Sequence, residues 1–204
     1  MNMNVQPLVE LVDSKGQPIG SAPKLDVHLD GRLHRAISVF VFDDSGNELL
    51  QKRASHKYHA PGLWSNAVCS HPRPGESPWA AAHRRLEEEL SMRAAVCELF
   101  VMRYRADVGE GLVEHEYDHV FVAKALSEPQ PNPDEVDSVR WMHKDDIGQL
   151  LRKEPDTFTP WFRLAHEEVL TSLEESHGQH AKVLITPAGD KATFLFPEEE
   201  VVAA

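Results

Sequence analysis

The segment 77–90, SPWAAAHRRLEEEL, constrains the fold more than any other. Ser77 is an N-cap residue and Pro78 suits the first helical position, where its missing N–H costs nothing. From there to Leu90 the residues are mainly Ala, Leu, Arg and Glu, which predicts a helix. Strand patterns flank it on both sides. HRAISVFVFDDSGNELLQKR places two apolar, β-branched or aromatic runs around Asp43-Asp44-Ser45-Gly46-Asn47, which is turn chemistry, and predicts a hairpin. AVCELFVMRYRAD and VEHEYDHVFVAKAL predict two strands joined by a loop containing Gly109 and Gly111. Helices and strands mix without strict alternation. That predicts an α+β fold, an α/β/α sandwich, rather than a regular parallel sheet.

The remaining segments fit one domain over 1–204. VELVDSKGQPIGSAP predicts a strand, a turn and a second strand. ASHKYHAPGLWSNAV reads as a loop entering a short extended piece, and PQPNPDEVD as a Pro-rich loop. SVRWMH predicts a strand and KDDIGQLLRKE a short helix. Thr159-Pro160 opens a helix, PWFRLAHEEVLTSLEE. KVLITPAGDKATFLF predicts a last hairpin or extended arm, in a C-terminal extension (177–204) of unassigned role.

Net charge narrows the partners. A formal charge of -12 over 204 residues opposes general binding to nucleic acid or an anionic membrane, so an anionic ligand requires locally gathered cations. Two cysteines make no disulfide framework. With no basic start followed by an apolar run, and no apolar run of membrane-spanning length, the expectation is a cytoplasmic protein with reduced thiols.

Several short stretches could carry chemistry, and each has a bland alternative. In VEHEYDHVF, strand geometry puts Glu114 and Glu116 on one face roughly 7 Å apart along the backbone, with Asp118 joining them if the strand stays regular. Such carboxylates repel unless a cation sits between them or one is protonated; the alternative is a solvated face. In CSHP, Cys69 and His71 could share a metal, form a thiol–imidazole pair, or be a packed thiol beside a surface histidine. His28 and His34 read as loop histidines just ahead of a strand, either ligands or surface groups. In RRLEEEL, Arg84 with Glu88 and Arg85 with Glu89 fall one turn apart, as ordinary i, i+4 pairs do. Lys52, Arg53 and Lys57 cluster in an acidic chain, as an anion site or as a charged loop.

Together these stretches resemble a known family. Helix 77–90 and its flanks resemble the Nudix signature: Glu76, Arg84, Leu86, Glu88 and Glu89 hold pattern positions. Ser70 and Ser91 stand where the pattern has glycine, and Arg85 where it has glutamate. The last change replaces a metal-gathering acid by a cation, which argues against diphosphate hydrolysis and for diphosphate holding. WSNAVCSHP, MRYRAD, VEHEYDHVF and TPWFRLA follow in the order seen in the type I isopentenyl-diphosphate isomerases, which share the Nudix fold. The resemblance runs from about residue 5 to about 175, with the Nudix core at about 30–175.

The resemblance implies a Nudix fold with mixed β-sheets flanked by helices and with N-terminal and C-terminal additions. It implies an enzyme interconverting isopentenyl and dimethylallyl diphosphate through a tertiary carbocation, in isoprenoid biosynthesis. Its partner would be that small-molecule substrate, with no nucleic acid and no membrane, and its state monomer or weak homodimer. His28, His34, His71, Glu114 and Glu116 would hold one divalent metal (Mn2+, Zn2+ or Mg2+). Cys69 and Glu116 would be the acid–base pair, with Tyr104 assisting Glu116 and nearby cations favouring the Cys69 thiolate. Trp161 would stack over the cationic centre. Glu89 and the main-chain carbonyl of Cys69 would hold Mg2+ against the diphosphate, whose oxygens Lys24, Arg53, Lys57 and Arg85 would bind. The interval from His28 to His34 is one residue shorter than in the bacterial pattern. The alternatives are a Nudix hydrolase of a nucleoside diphosphate derivative and a catalytically dead metal-binding scaffold.

Overall fold

The computed structural model of the protein describes residues 6–178; the predicted C-terminal hairpin or arm lies outside them. The chain runs β1 (Leu8–Val12), β2 (Pro18–Pro23), α1 (Lys24–Asp30), β3 (His34–Phe42), β4 (Glu48–Arg53), β5 (Trp64–Asn66), β6 (Val68–Ser70), α2 (Pro78–Leu90), β7 (Ala94–Asp107), β8 (Val113–Ala125), β9 (Val136–Met142), α3 (Lys144–Lys153) and α4 (Pro160–Gly178).

Strand β3 is the axis. Its sequence, HRAISVFVF, is almost continuously buried, so it needs cover on both faces and partners on both edges. One edge pairs in parallel with β8 along its whole length, from His34↔Glu116 to Phe42↔Lys124. The other is shared by β1, β6 and β4 in succession. Strand β8 pairs onward with β7 in antiparallel fashion, while β4 pairs with β5 and β9. The predicted β3–β4 hairpin is therefore corrected. Its turn forms, with Asp43 accepting from the N–H groups of Ser45 and Asn47 at 2.8 Å each. The strands, however, register only at Phe42↔Glu48; β3 then pairs with β6 and β8, and β4 with β5 and β9.

Alternation along β3 divides the core. Ile37, Val39 and Val41 pack with Ala81, Ala82, Leu86 and Leu90 of α2. Phe40 packs with Phe158 and with Phe162, Ala165 and Val169 of α4, together with Ile147 of α3. Burying each large apolar side chain favours the folded state by about 1.5–3 kcal/mol. The sandwich expected from sequence is the one observed. The Ser77 hydroxyl caps α2, accepting from the N–H of Ala80 at 3.2 Å. Ser91 ends it in the left-handed region, φ 45°, which favours glycine; this gives the pattern's glycine there a physical reason.

One helix was missed. Residues 24–30 form α1, ended by left-handed Gly31, so His28 is helical rather than in a loop. The stretch is too short for a helical period to stand out, and Gly31 was its one local signal. Among the described residues, no helix is long and apolar enough to cross a membrane.

Candidate active site

Strand register builds one wall of a cavity of about 500 Å³. Glu116 on β8 lies between His34 on β3 and Tyr104 on β7. Glu114, Glu116 and Asp118 are all buried on the same face, as the period-two pattern predicts. Strand β6 brings His71 from the β3 side, just beyond the Ile37↔Ser70 pair. Helix α1 adds His28 from above the strand ends. Donor atoms of His28, His34, His71, Glu114 and Glu116 lie within 4.8 Å of one another.

The donor chemistry fits a cation. Nδ1 of His28 lies 2.6 Å from the Lys24 carbonyl and Nδ1 of His34 lies 2.9 Å from that of Arg32. A carbonyl only accepts, so each Nδ1 carries a hydrogen and each Nε2 is the ring atom turned inward. Nε2 of His28 meets Oε2 of Glu114 at 3.0 Å, and neither atom has a hydrogen-bond partner. Nε2 of His34 faces Nε2 of His71 at 3.1 Å and Oε1 of Glu116 at 3.5 Å. Buried lone pairs that converge in this way require positive charge between them, as extra protons or as a metal ion. Burial and the charge of Glu114 both push the Glu116 carboxyl upward. The Tyr104 hydroxyl donates to Oε2 of Glu116 at 2.6 Å, and burial holds that phenol neutral.

Cys69 and His71 belong to different groups. The Cys69 thiol donates to Oδ1 of Asn66 at 2.9 Å. Nδ2 of Asn66 donates to the carbonyls of Val39 and Val68, so its oxygen is the end left for the sulfur. The Trp161 indole N–H reaches Sγ of Cys69 and Oγ of Ser65, each at 2.9 Å. The hydroxyl of Ser65 also lies 2.9 Å from that of Thr159, which ties β5 to the start of α4. The expectation of a favoured thiolate is corrected: burial pushes the Cys69 thiol up to about 12, outweighing Ser65 and Arg53, which pull it down.

The same cavity also carries cations. Lys24, Arg53, Lys57 and Arg85 all line it, as do Cys69, Tyr104 and Trp161. Lys52 is not among the lining residues. Burial draws the Lys24 ammonium down to about 8, against the pull of Glu114. Arg53 lies over the Trp161 ring at 5.2 Å and donates to the carbonyls of His59 and Ala60. Arg85 contacts Glu89 at 2.7 Å, Glu88 at 2.9 Å and Glu135 at 3.1 Å. Lys57 also pairs with Glu135. Glu89 is fully buried behind Arg85 and is not among the lining residues, whereas Glu88 is.

Sequence reasoning passed over His59, whose Nε2 lies 2.8 Å from Oε1 of Glu114. Its only signal was the HKYH stretch, read for its cations alone. Glu135, which holds both Lys57 and Arg85, was hidden in the Pro-rich loop.

A protein of Photorhabdus laumondii named isopentenyl-diphosphate Delta-isomerase 2 is 47% identical over 156 residues, 76% of this chain and 88% of that one. A Nocardia farcinica protein named isopentenyl-diphosphate Delta-isomerase is 45% identical over 173 residues, 84% of this chain and 99% of that one. The family model described as NUDIX domain matches residues 32–162. The chain belongs to the isopentenyl-diphosphate Delta-isomerases of the NUDIX family. The solved structures of this fold agree. A Deinococcus radiodurans protein superposes with a TM-score of 0.61 at 16% identity, covering 72% of this chain and 90% of that one, a likeness of fold alone. A MutT NUDIX hydrolase of Burkholderia pseudomallei gives 0.55 at 26% identity, over 68% of this chain and 98% of that one. In this chain His71, Glu114 and Glu116 of the histidine–carboxylate group line one cavity with Cys69 and Trp161.

Proposed function

We propose that this protein interconverts isopentenyl diphosphate and dimethylallyl diphosphate, within isoprenoid biosynthesis. One observation carries the reading beside the family: Cys69 and Glu116 open onto the same cavity from separate hydrogen-bond groups, and Trp161 lines it beside Cys69. The reaction adds a proton at one end of an unactivated alkene, giving a tertiary cation, and removes a proton from the carbon on the cation's other side. It therefore needs two proton carriers that do not neutralise each other, and a wall that does not trap the cation. The buried thiol and the Glu116 carboxyl are the two carriers, and each donates in one direction of the reversible reaction and accepts in the other. Tyr104 donates to Oε2 of Glu116, whose Oε1 faces His34 and His71. The Trp161 face stabilises the cation by about 0.5–2 kcal/mol.

His28, His34, His71, Glu114 and Glu116 would hold a divalent metal, Mn2+, Zn2+ or Mg2+, which when bound sets the proton affinity of Glu116. Lys24, Arg53, Lys57 and Arg85 bind the diphosphate. Arg85 holds Glu88 and Glu89; Glu89 and the main-chain carbonyl of Cys69 would hold Mg2+, which would supply positive charge toward the diphosphate. The same reading takes 1–204 as a single cytoplasmic NUDIX-type domain, monomeric or weakly dimeric.

A hydrolase of a nucleoside diphosphate derivative is the second reading, favoured by Glu76, Glu88 and Glu89 on or beside α2. Arg85 opposes it by neutralising Glu88 and Glu89 together. Proton NMR of isopentenyl diphosphate with the protein, Mg2+ and Mn2+ in deuterated water decides. Dimethylallyl product with solvent deuterium is expected; neither appearing sinks the reading.

A further inference from the structure

Glu114 and Glu116 share one buried face of β8, and each turns one oxygen toward the histidines. Tyr104 occupies the other oxygen of Glu116. The corresponding oxygen of Glu114, Oε1, faces His59 at 2.8 Å. We propose that His59 is a positioning residue of the metal centre: its Nε2–H holds Oε1 of Glu114, so that the carboxylate presents only Oε2 to the cation. This inference rests on the metal reading above.

Valence supports the assignment. An ionised carboxylate has no hydrogen to give, so the contact requires the hydrogen on Nε2 of His59. That nitrogen then has no lone pair for a metal, in keeping with the place of His59 outside the five-donor group. The Arg53 guanidinium, 3.4 Å from the same nitrogen, is too distant to compete. His59 is buried and its ring is held in place. Its carbonyl accepts from Arg53 at 3.2 Å, and the ring packs beside Tyr58 at 4.6 Å and Trp161 at 6.0 Å. Oε2 of Glu114, buried and without a partner, is the atom left toward His28 and His34. Holding one oxygen keeps Glu114 a one-atom ligand and removes the freedom it would lose on binding. The same residue connects loop 54–63, which carries Lys57, to the metal wall.

The test is Mn2+ binding to the metal-stripped full-length protein without diphosphate, followed by electron paramagnetic resonance of free Mn2+, for wild type, His59→Leu and His59→Gln. His59→Leu is expected to weaken Mn2+ by about 10- to 100-fold. His59→Gln, whose side-chain N–H replaces Nε2–H, recovers most of the loss. Equal affinity of wild type and His59→Leu overturns the proposal, as does a His59→Gln variant no tighter than His59→Leu. Loss as complete as in His28→Ala also overturns it, by making His59 a ligand. Thermal unfolding of the stripped proteins identifies a variant that does not fold, and His59→Gln then decides alone. A wild type that binds none of Mn2+, Zn2+ and Mg2+ refutes the metal reading itself, a result distinct from these.

Discussion

The indole N–H of Trp161 stands 2.9 Å from Sγ of Cys69, so the residue proposed to face the substrate cation touches the thiol proposed to exchange its proton. Trp161 is buried, and Cys69 packs partly buried against the same cluster, where β6 meets the start of α4. Cys69→Ala is expected to lower isomerisation by about 10²- to 10⁴-fold, the usual contribution of a positioned acid or base. Trp161→Phe keeps a ring but loses the N–H and the stronger π face. Its expected loss is about 0.5–2 kcal/mol of barrier, or about 2- to 30-fold. NMR rates for the two variants check this, and near-equal losses would contradict separate roles.

Arg85 sits on α2 with three carboxylates around it and the cavity in front. Arg85→Ala should weaken binding of inorganic diphosphate by about 1.5–3 kcal/mol, the range for charge-assisted hydrogen bonds. Lys52→Ala, on the neighbouring residue of β4 to Arg53 but away from the cavity, should leave binding unchanged. Calorimetric titration measures both; an equal effect of the two would point to general charge rather than a site.

Glu76 accepts two hydrogen bonds of 2.7 Å from the Arg84 guanidinium. Those bonds hold its carboxyl below the usual range. A carboxyl with a lowered folded pKa contributes stability above its unfolded value, about 4.3, and loses it as pH falls through the folded value. Glu76→Gln is therefore expected to cost about 1 kcal/mol at pH 7, and the gap from wild type should close as the pH drops below about 4. Urea unfolding across this range checks it, and a gap independent of pH would rule the linkage out.

Chelation should destabilise the protein. Five converging donors within 4.8 Å, four of them on buried residues, are unfavourable without a cation between them. A bound ion present at about 100 times its Kd adds about 2.7 kcal/mol to the folded state. Metal-stripped protein should melt at a lower temperature and recover on addition of Mn2+. An unchanged melting temperature would contradict the fit of the site to a metal.

Much was legible in local sequence because local physics decides it. Ser77 and Pro78 set the start of α2, whatever packs against it. Period two puts Glu114, Glu116 and Asp118 on one face before any partner strand is known. The i, i+4 interval pairs Arg84 with Glu88 and Arg85 with Glu89. The roles of Cys69, Trp161 and the histidines came from resemblance, since no local rule assigns them. The short helix carrying His28 was missed because seven residues show less than two clear helical turns of pattern.

By itself, then, the sequence determined the elements, the buried faces and the acidity of the chain, because dihedral preferences and side-chain periodicity act within a few residues. Tertiary structure decided which faces meet. The parallel register that sets His34 beside Glu116 joins residues far apart in the chain. So do the contacts of His59 with Glu114 and of Cys69 with Trp161. None of these is encoded in a local preference; each results from burying β3 on both faces, which leaves one arrangement of neighbours that covers its apolar side chains and still pairs its backbone.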